Sequence, residues 1–133
     1  MSENEFAAYL EKINFQKRLD TLAKKLKDKK IVIYGTGLFF QTLIKNYDLS
    51  VLNIVALSDK KFSNHEENET FLGYKVCAPM EIVDLAPDYV LVGTIKFIDI
   101  IEDLEETTLV NTGIKVRPLI KKTFRELWKE IWG

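Results

Sequence analysis

The sequence predicts an α/β fold, a mainly parallel sheet layered between helices, on three observations. Short, continuously apolar runs such as Ile31–Tyr34 and Tyr89–Val92 read as strands covered on both faces. Between these runs lie segments whose apolar residues recur at threes and fours, the spacing of amphipathic helices. Lys30-Ile31-Val32-Ile33-Tyr34 leads at once into Gly35-Thr36-Gly37 and then into a helical pattern from Leu38. That order of strand, glycine turn and helix opens a nucleotide-binding βαβ unit. Right-handed crossovers narrow the topology to a three-layer, Rossmann-like parallel sheet with expected strand order 3-2-1-4-5.

In chain order, residues 3–28 read as one N-terminal helix, with Phe6, Leu10, Ile13, Leu19, Leu22, Ala23 and Leu26 on its apolar face. Ser2 or Asn4 suits its cap, and Lys24, Lys25, Lys27, Lys29 and Lys30 gather at its negative end. After the first strand, Ile31–Tyr34, a helix starts around Leu38 and runs through Phe39, Leu43, Ile44 and Tyr47. Asn53–Leu57 is the second strand, followed by Ser58-Asp59. Residues 60–72 lose apolar rhythm and read as a polar loop. Gly73 turns the chain into a third strand, Tyr74–Cys77. Pro79 opens a short helix through Leu85 and Pro87 stops it, proline being favoured at a first helical position. Tyr89–Val92 is the fourth strand, Phe97 to Glu105 a helix, and Lys115–Arg117 the fifth strand. Pro118 starts a final helix in which Leu119, Ile120, Phe124, Leu127, Trp128, Ile131 and Trp132 share a face. The expected organisation is one domain over 1–133: an N-terminal helix at 1–28, a βαβ core at 30–117 and a C-terminal helix at 118–133.

The bulk numbers exclude several classes. Net charge is −1, so no general attraction to nucleic acid or an anionic membrane is expected. The charge is uneven, at +3 over residues 1–30, −7 over 81–106 and +4 over 115–133, which reads as solvated helix surface or as complementary docking patches. Cys77 is the one cysteine, so no internal disulfide forms, and it reads as a small apolar filler. No run approaches about 18 apolar residues and the acidic start lacks a signal-peptide core, so a cytoplasmic protein is expected.

The glycine turn carries the sharpest ligand signal. Unpaired N–H groups and the dipole at a helix start favour phosphate, and Gly35 and Gly37 would let it approach the main chain over Gly35, Thr36, Gly37, Leu38 and Phe39. A full dinucleotide fingerprint has a third glycine where this chain has Phe40. Ser58 and Asp59 end the second strand, where an acid accepts hydrogen bonds from a ribose or simply terminates a strand; Lys60 and Lys61 meet an extra phosphate or face water. Gly93-Thr94 ends the fourth strand on the ligand edge of the sheet, and Thr94 either offers its hydroxyl to a ligand or caps the next helix. Tyr34 reads as core with a satisfied hydroxyl, and the acidic helix around Asp99, Glu102, Asp103, Glu105 and Glu106 as solvated surface. No metal site is expected, because His65 is the one histidine, and no catalytic set assembles: neither a Ser-His-Asp arrangement nor a Tyr-x-x-x-Lys pair.

With those residues in place, the chain resembles a family of small Rossmann-type modules in bacterial surface-polysaccharide enzymes. These are the nucleotide-sugar-binding N-terminal domains of sugar acyltransferases and related polysaccharide-biosynthesis proteins. The resemblance covers about residues 22–120. It rests on Lys30–Gly37, on Ser58-Asp59, on Gly73-Tyr74-Lys75-Val76 with Pro79-Met80-Glu81, and on Asp88–Val92. It implies phosphate or ribose at Gly35, Thr36 and Gly37, and a nucleoside beside Asp59. Phe40 departs from the family's small residue, and Phe39-Phe40 stand where they would roof the cradle.

The leading expectation is a non-catalytic nucleotide or nucleotide-sugar binding module that works with a partner enzyme of envelope sugar metabolism. The alternatives are an NAD(P)-dependent oxidoreductase or epimerase-like subunit, and a ligand-free interaction domain. For the last, the apolar face with Trp128 and Trp132 either covers the sheet or seals a homodimer or partner contact.

Overall fold

The computed structural model describes residues 1–132, with Gly133 and the side chain of Phe124 outside the described residues. The chain runs α1 (Glu3–Lys12), α2 (Phe15–Lys25), β1 (Ile31–Tyr34), α3 (Leu38–Asn46), β2 (Ile54–Ser58), β3 (Thr70–Phe71) and β4 (Tyr74–Cys77). It continues through α4 (Ile82–Leu85), β5 (Tyr89–Val92), α5 (Ile98–Glu106), β6 (Lys115–Pro118) and α6 (Phe124–Trp132). The strands form one α/β sheet in the order β3-β4-β2-β1-β5-β6. β1 pairs in parallel with β2 on one side and β5 on the other, and β2–β4 and β5–β6 are also parallel.

β1 is central for a compositional reason. A strand with neighbours on both edges and helices over both faces has no polar side, and Ile31, Val32 and Ile33 are fully buried. The connection through α3 steps from β1 to β2, and the one through α5 steps from β5 to β6 in the other direction. Right-handed crossovers then put α3 and α5 on opposite faces and leave a parting at the C-terminal ends of β1 and β5.

Four expectations are corrected. The sheet departs from the five-stranded order 3-2-1-4-5 because the segment read as a loop, 60–72, contributes β3, an antiparallel edge strand on β4. Leu72 and Gly73 join the two with φ of 53° and 84°, the paired left-handed conformation of a tight hairpin turn. The N-terminal helix is two helices. Asn14 takes φ 52° and caps α2, its Oδ1 accepting the Lys17 N–H at 3.4 Å. In an unbroken helix Phe15 would point about 140° away from Leu10; the break lets both side chains reach the core, where each is fully buried. The final helix begins at Phe124 rather than Pro118. Pro118 ends edge strand β6, the Leu119 N–H continues the ladder to Val92 O at 3.0 Å, and Leu119 and Ile120 are buried from the bend that follows the strand.

The fourth correction concerns the aromatic face. Trp128, Ile131 and Trp132 are 55%, 56% and 72% exposed, so they do not cover the sheet. α6 is held by its other side: Tyr9 Oη donates to Glu126 Oε2 at 2.7 Å, and Lys122 Nζ meets Glu130 Oε2 at 2.5 Å. Among the described residues no helix is long and apolar enough to cross a membrane.

Candidate functional site: the C-terminal edge of β1 and β5

The turn after β1 closes on itself. Gly35, at φ 98°, donates its N–H to Ser58 O at 2.9 Å, so the turn is tied to the end of β2. Thr36 is fully buried, and Asp59 Oδ2 accepts both its N–H, at 2.8 Å, and its hydroxyl, at 3.0 Å. The Thr36 carbonyl accepts from Gln41 Nε2 and Lys61 Nζ, each at 3.0 Å. Asp59 Oδ1 accepts the Lys61 N–H at 3.3 Å, and the Lys61 ammonium lies 4.3 Å from the centre of the Phe71 ring. An anion at a turn leading into a helix is stabilised by oriented N–H groups, and here the chain supplies that anion itself. Asp59, expected on a ribose, is a clamp on Thr36.

The two glycines of the turn differ in what they require. A Cβ on Gly35 would stand 2.8 Å from Thr94 Cγ2, on backbone that side chains rarely adopt. A Cβ on Gly37 would meet nothing within 4 Å, and Gly37 and Leu38 are exposed at the start of α3. Neither phenylalanine roofs the turn. Phe39 packs edge-on against Phe6 of α1, ring centres 5.3 Å apart, and Phe40 is fully buried. The missing third glycine is offset by Gly93, where an added Cβ would come within 3.1 Å of Phe40 Cδ1 and 3.0 Å of Gly35 O. Helix and sheet thus approach closely with the large residue on the helix and the small one on the strand.

Beside the turn lies a cleft of about 370 Å³ lined by Tyr34, Gly35, Asp59, Lys60, Thr94, Asp99, Ile100 and Asp103. Four expected site residues line it directly: Gly35, Asp59, Lys60 and, from the end of β5, Thr94. Thr94 does not cap α5: its hydroxyl donates to Lys96 O at 3.2 Å, and the cap position is Phe97. Tyr34, expected to be satisfied core, is 8% exposed, but it lines the cleft and its hydroxyl has no hydrogen-bond partner among the described residues. Burial first, then the charges of Asp59 and Asp103, push its pKa up, so the phenol stays protonated at neutral pH. Asp99 and Asp103, expected on solvated surface, are exposed. They stand four residues apart on α5, one turn, and face the same cleft. That spacing, directly after the strand beside β1, is the signal that marks them.

Ser58 is fully buried, and its hydroxyl lacks an oxygen or nitrogen partner among the described residues, with the Cys77 thiol of the paired strand beside it. Burial pushes that thiol up, which keeps it a filler rather than a nucleophile. His65 lies outside the cleft and pairs with Glu81 at 2.5 Å. Among the described residues no cluster of histidine, cysteine and carboxylate side chains forms a metal centre.

Residues 27–114, more than half of the chain, match the family described as C2185-like, N-terminal. No curated protein and no solved structure matches the chain.

Proposed function

The chain belongs to the C2185-like, N-terminal family, and from that premise we propose that it is a non-catalytic module that binds a nucleotide or nucleotide-sugar. The observation that carries this reading is the cleft at the C-terminal ends of β1 and β5, beside the exposed start of α3. Open α/β sheets of Rossmann-like topology bind ligands at this parting of the strands. The phosphates lie outside the cleft, over the main chain of Gly37, Leu38 and Phe39 with Lys60 nearby, and the hydroxylated part of the ligand enters the cleft. The module serves a separate enzyme of bacterial envelope sugar metabolism in the cytoplasm. Asp59 is committed to Thr36, so in this reading and in the nicotinamide-cofactor reading alike the ribose is held by other groups.

Thermal unfolding with uridine and cytidine nucleotide-sugars, NAD, NADP and coenzyme A tests the proposal. A ligand at about 100 times its Kd adds about 2.7 kcal/mol, several degrees in Tm. Nucleotide-sugars are expected to raise Tm; a Tm indifferent to every one of them overturns the reading. The exposed stripe of Trp128, Ile131 and Trp132 favours a second reading, a domain that docks through α6 to a second copy or a partner enzyme. A monomeric mass by light scattering across the micromolar range removes its homodimer form.

A further inference from the structure

The cleft combines two kinds of hydrogen-bonding group left to solvent, a pair of exposed carboxylates and a phenol. Asp99 and Asp103 are carboxylates with no ion-pair partner among the described residues, and Lys60 is the one cation among the lining side chains. Tyr34 is more than nine-tenths buried and lines the same space, and its hydroxyl, with no protein partner among the described residues, is left to solvent. A ligand that replaces the water there must offer the phenol an acceptor and the carboxylates donors. A metal ion would serve the acids but not the phenol, and the described residues offer no metal cluster. A carboxylate or phosphate would accept from Tyr34 but would stand against Asp59, Asp99 and Asp103. An alcohol hydroxyl does both jobs at once, accepting from Tyr34 and donating to a carboxylate.

We propose that this cleft selects a neutral, hydroxyl-bearing sugar ring and rejects an acidic one, Tyr34 donating to the ring hydroxyls and Asp99 and Asp103 accepting from them. The proposal rests on the reading of the chain as a nucleotide-sugar module and assigns the class of sugar. It also fixes polarity along the ligand: the phosphates stay on the α3 side and the sugar lies towards α5. Lys60, an exposed residue of the cleft lining, suits the junction between the two.

Isothermal titration with UDP, UDP-glucose and UDP-glucuronate tests it, because the two sugars differ only in a CH₂OH against a carboxylate. UDP-glucose is expected to bind at least tenfold tighter than UDP, and UDP-glucuronate no tighter than UDP. In Asp103→Asn, UDP-glucuronate should gain at least fivefold, and in Tyr34→Phe, UDP-glucose should lose at least fivefold. Circular dichroism melting of each variant separates lost binding from lost fold. If UDP binds but glucose adds nothing, or if glucose and glucuronate bind alike, the selection is overturned while the module reading stands. If none of the three binds, the uridine nucleotide-sugar reading fails and this inference with it.

Discussion

Two polar regions meet at the end of β1, and they are built on opposite terms. In the turn, each hydrogen-bonding group of Thr36 has a partner: Asp59 takes the N–H and the hydroxyl, and Gln41 and Lys61 supply the carbonyl. In the adjoining cleft, the Tyr34 hydroxyl and the carboxylates of Asp99 and Asp103 have no such partners among the described residues. A saturated network specifies one conformation, whereas solvent-facing donors and acceptors in a concave site exchange their water for a ligand. The glycine turn is therefore the scaffold of the site, and the chemistry that faces outward lies one strand and one helix away.

The sharpest way to break this comparison is to disturb the turn. Gly35→Ala forces a side chain into left-handed backbone and against the Thr94 methyl. Backbone strain of this kind costs about 1–3 kcal/mol and overpacking a similar amount, so about 3 kcal/mol is expected in urea unfolding. Adding Thr94→Ser removes the opposing methyl and should recover the overpacking share, leaving the backbone share. Gly37→Ala, with open space around it, should change stability by less than about 1 kcal/mol. Equal costs at Gly35 and Gly37 would show that the turn is not closed as described.

Asp59 is the next test. Asp59→Ala strips the acceptor from a buried N–H and hydroxyl, and leaving such groups unmet costs about 1–3 kcal/mol. A loss near 2 kcal/mol is expected without any ligand present. Asp103→Asn removes a carboxylate from an acidic cleft and should leave stability within about 0.5 kcal/mol of the parent. If Asp59→Ala unfolds at the parent's urea midpoint, the carboxylate is not a clamp and is free to hold a ribose.

Much of the frame was legible from the letters, for physical reasons that also explain the misses. The apolar run Ile31–Tyr34 and the glycines after it marked the central strand, because only a strand buried on both faces lacks alternation. Gly35 and Asp59 were marked by spacing, yet spacing does not tell whether a carboxylate turns outward to a ligand or back onto its own main chain. Phe40 read as an obstacle because its compensation, Gly93, comes from a distant strand end. Asp99 and Asp103 are exposed, as acids on a helix ordinarily are, and only the placement of β5 beside β1 brings them to the site. Asn14 and the Leu119-Ile120 pair were missed where apolar spacing continues across a change of backbone.

The smallest expected effect lies beyond the clamp, in the 60–72 loop, and separates the two regions by titration. The loop is held at its near end by Lys61 and midway by His65, whose Nε2 lies 2.5 Å from Glu81 Oε1 and Nδ1 2.8 Å from Glu66 O. Two oxygen acceptors on two ring nitrogens fit the doubly protonated imidazolium. The Glu66 carbonyl and then Glu81 raise the His65 pKa above its ordinary 6.5, and the Ala78 N–H and then His65 lower that of Glu81 below 4.5. A raised histidine contributes its stability in full below its ordinary pKa and loses it as pH rises through the higher folded value; a lowered glutamate contributes above its ordinary pKa and loses it as pH falls through the lower one. The tether is thus strongest between about pH 4.5 and 6.5 and weakens on going to pH 8.5. Its exposure makes the effect slight and salt-sensitive. Hydrogen exchange at Glu66–Glu69, corrected for the intrinsic pH dependence of exchange, should speed up at pH 8.5, while the Thr36 amide keeps its protection. In His65→Ala the loop should exchange alike at both values. Loss of protection at Thr36 together with the loop would mean that clamp and loop open as one unit, and the turn could then not serve as a fixed scaffold for the cleft.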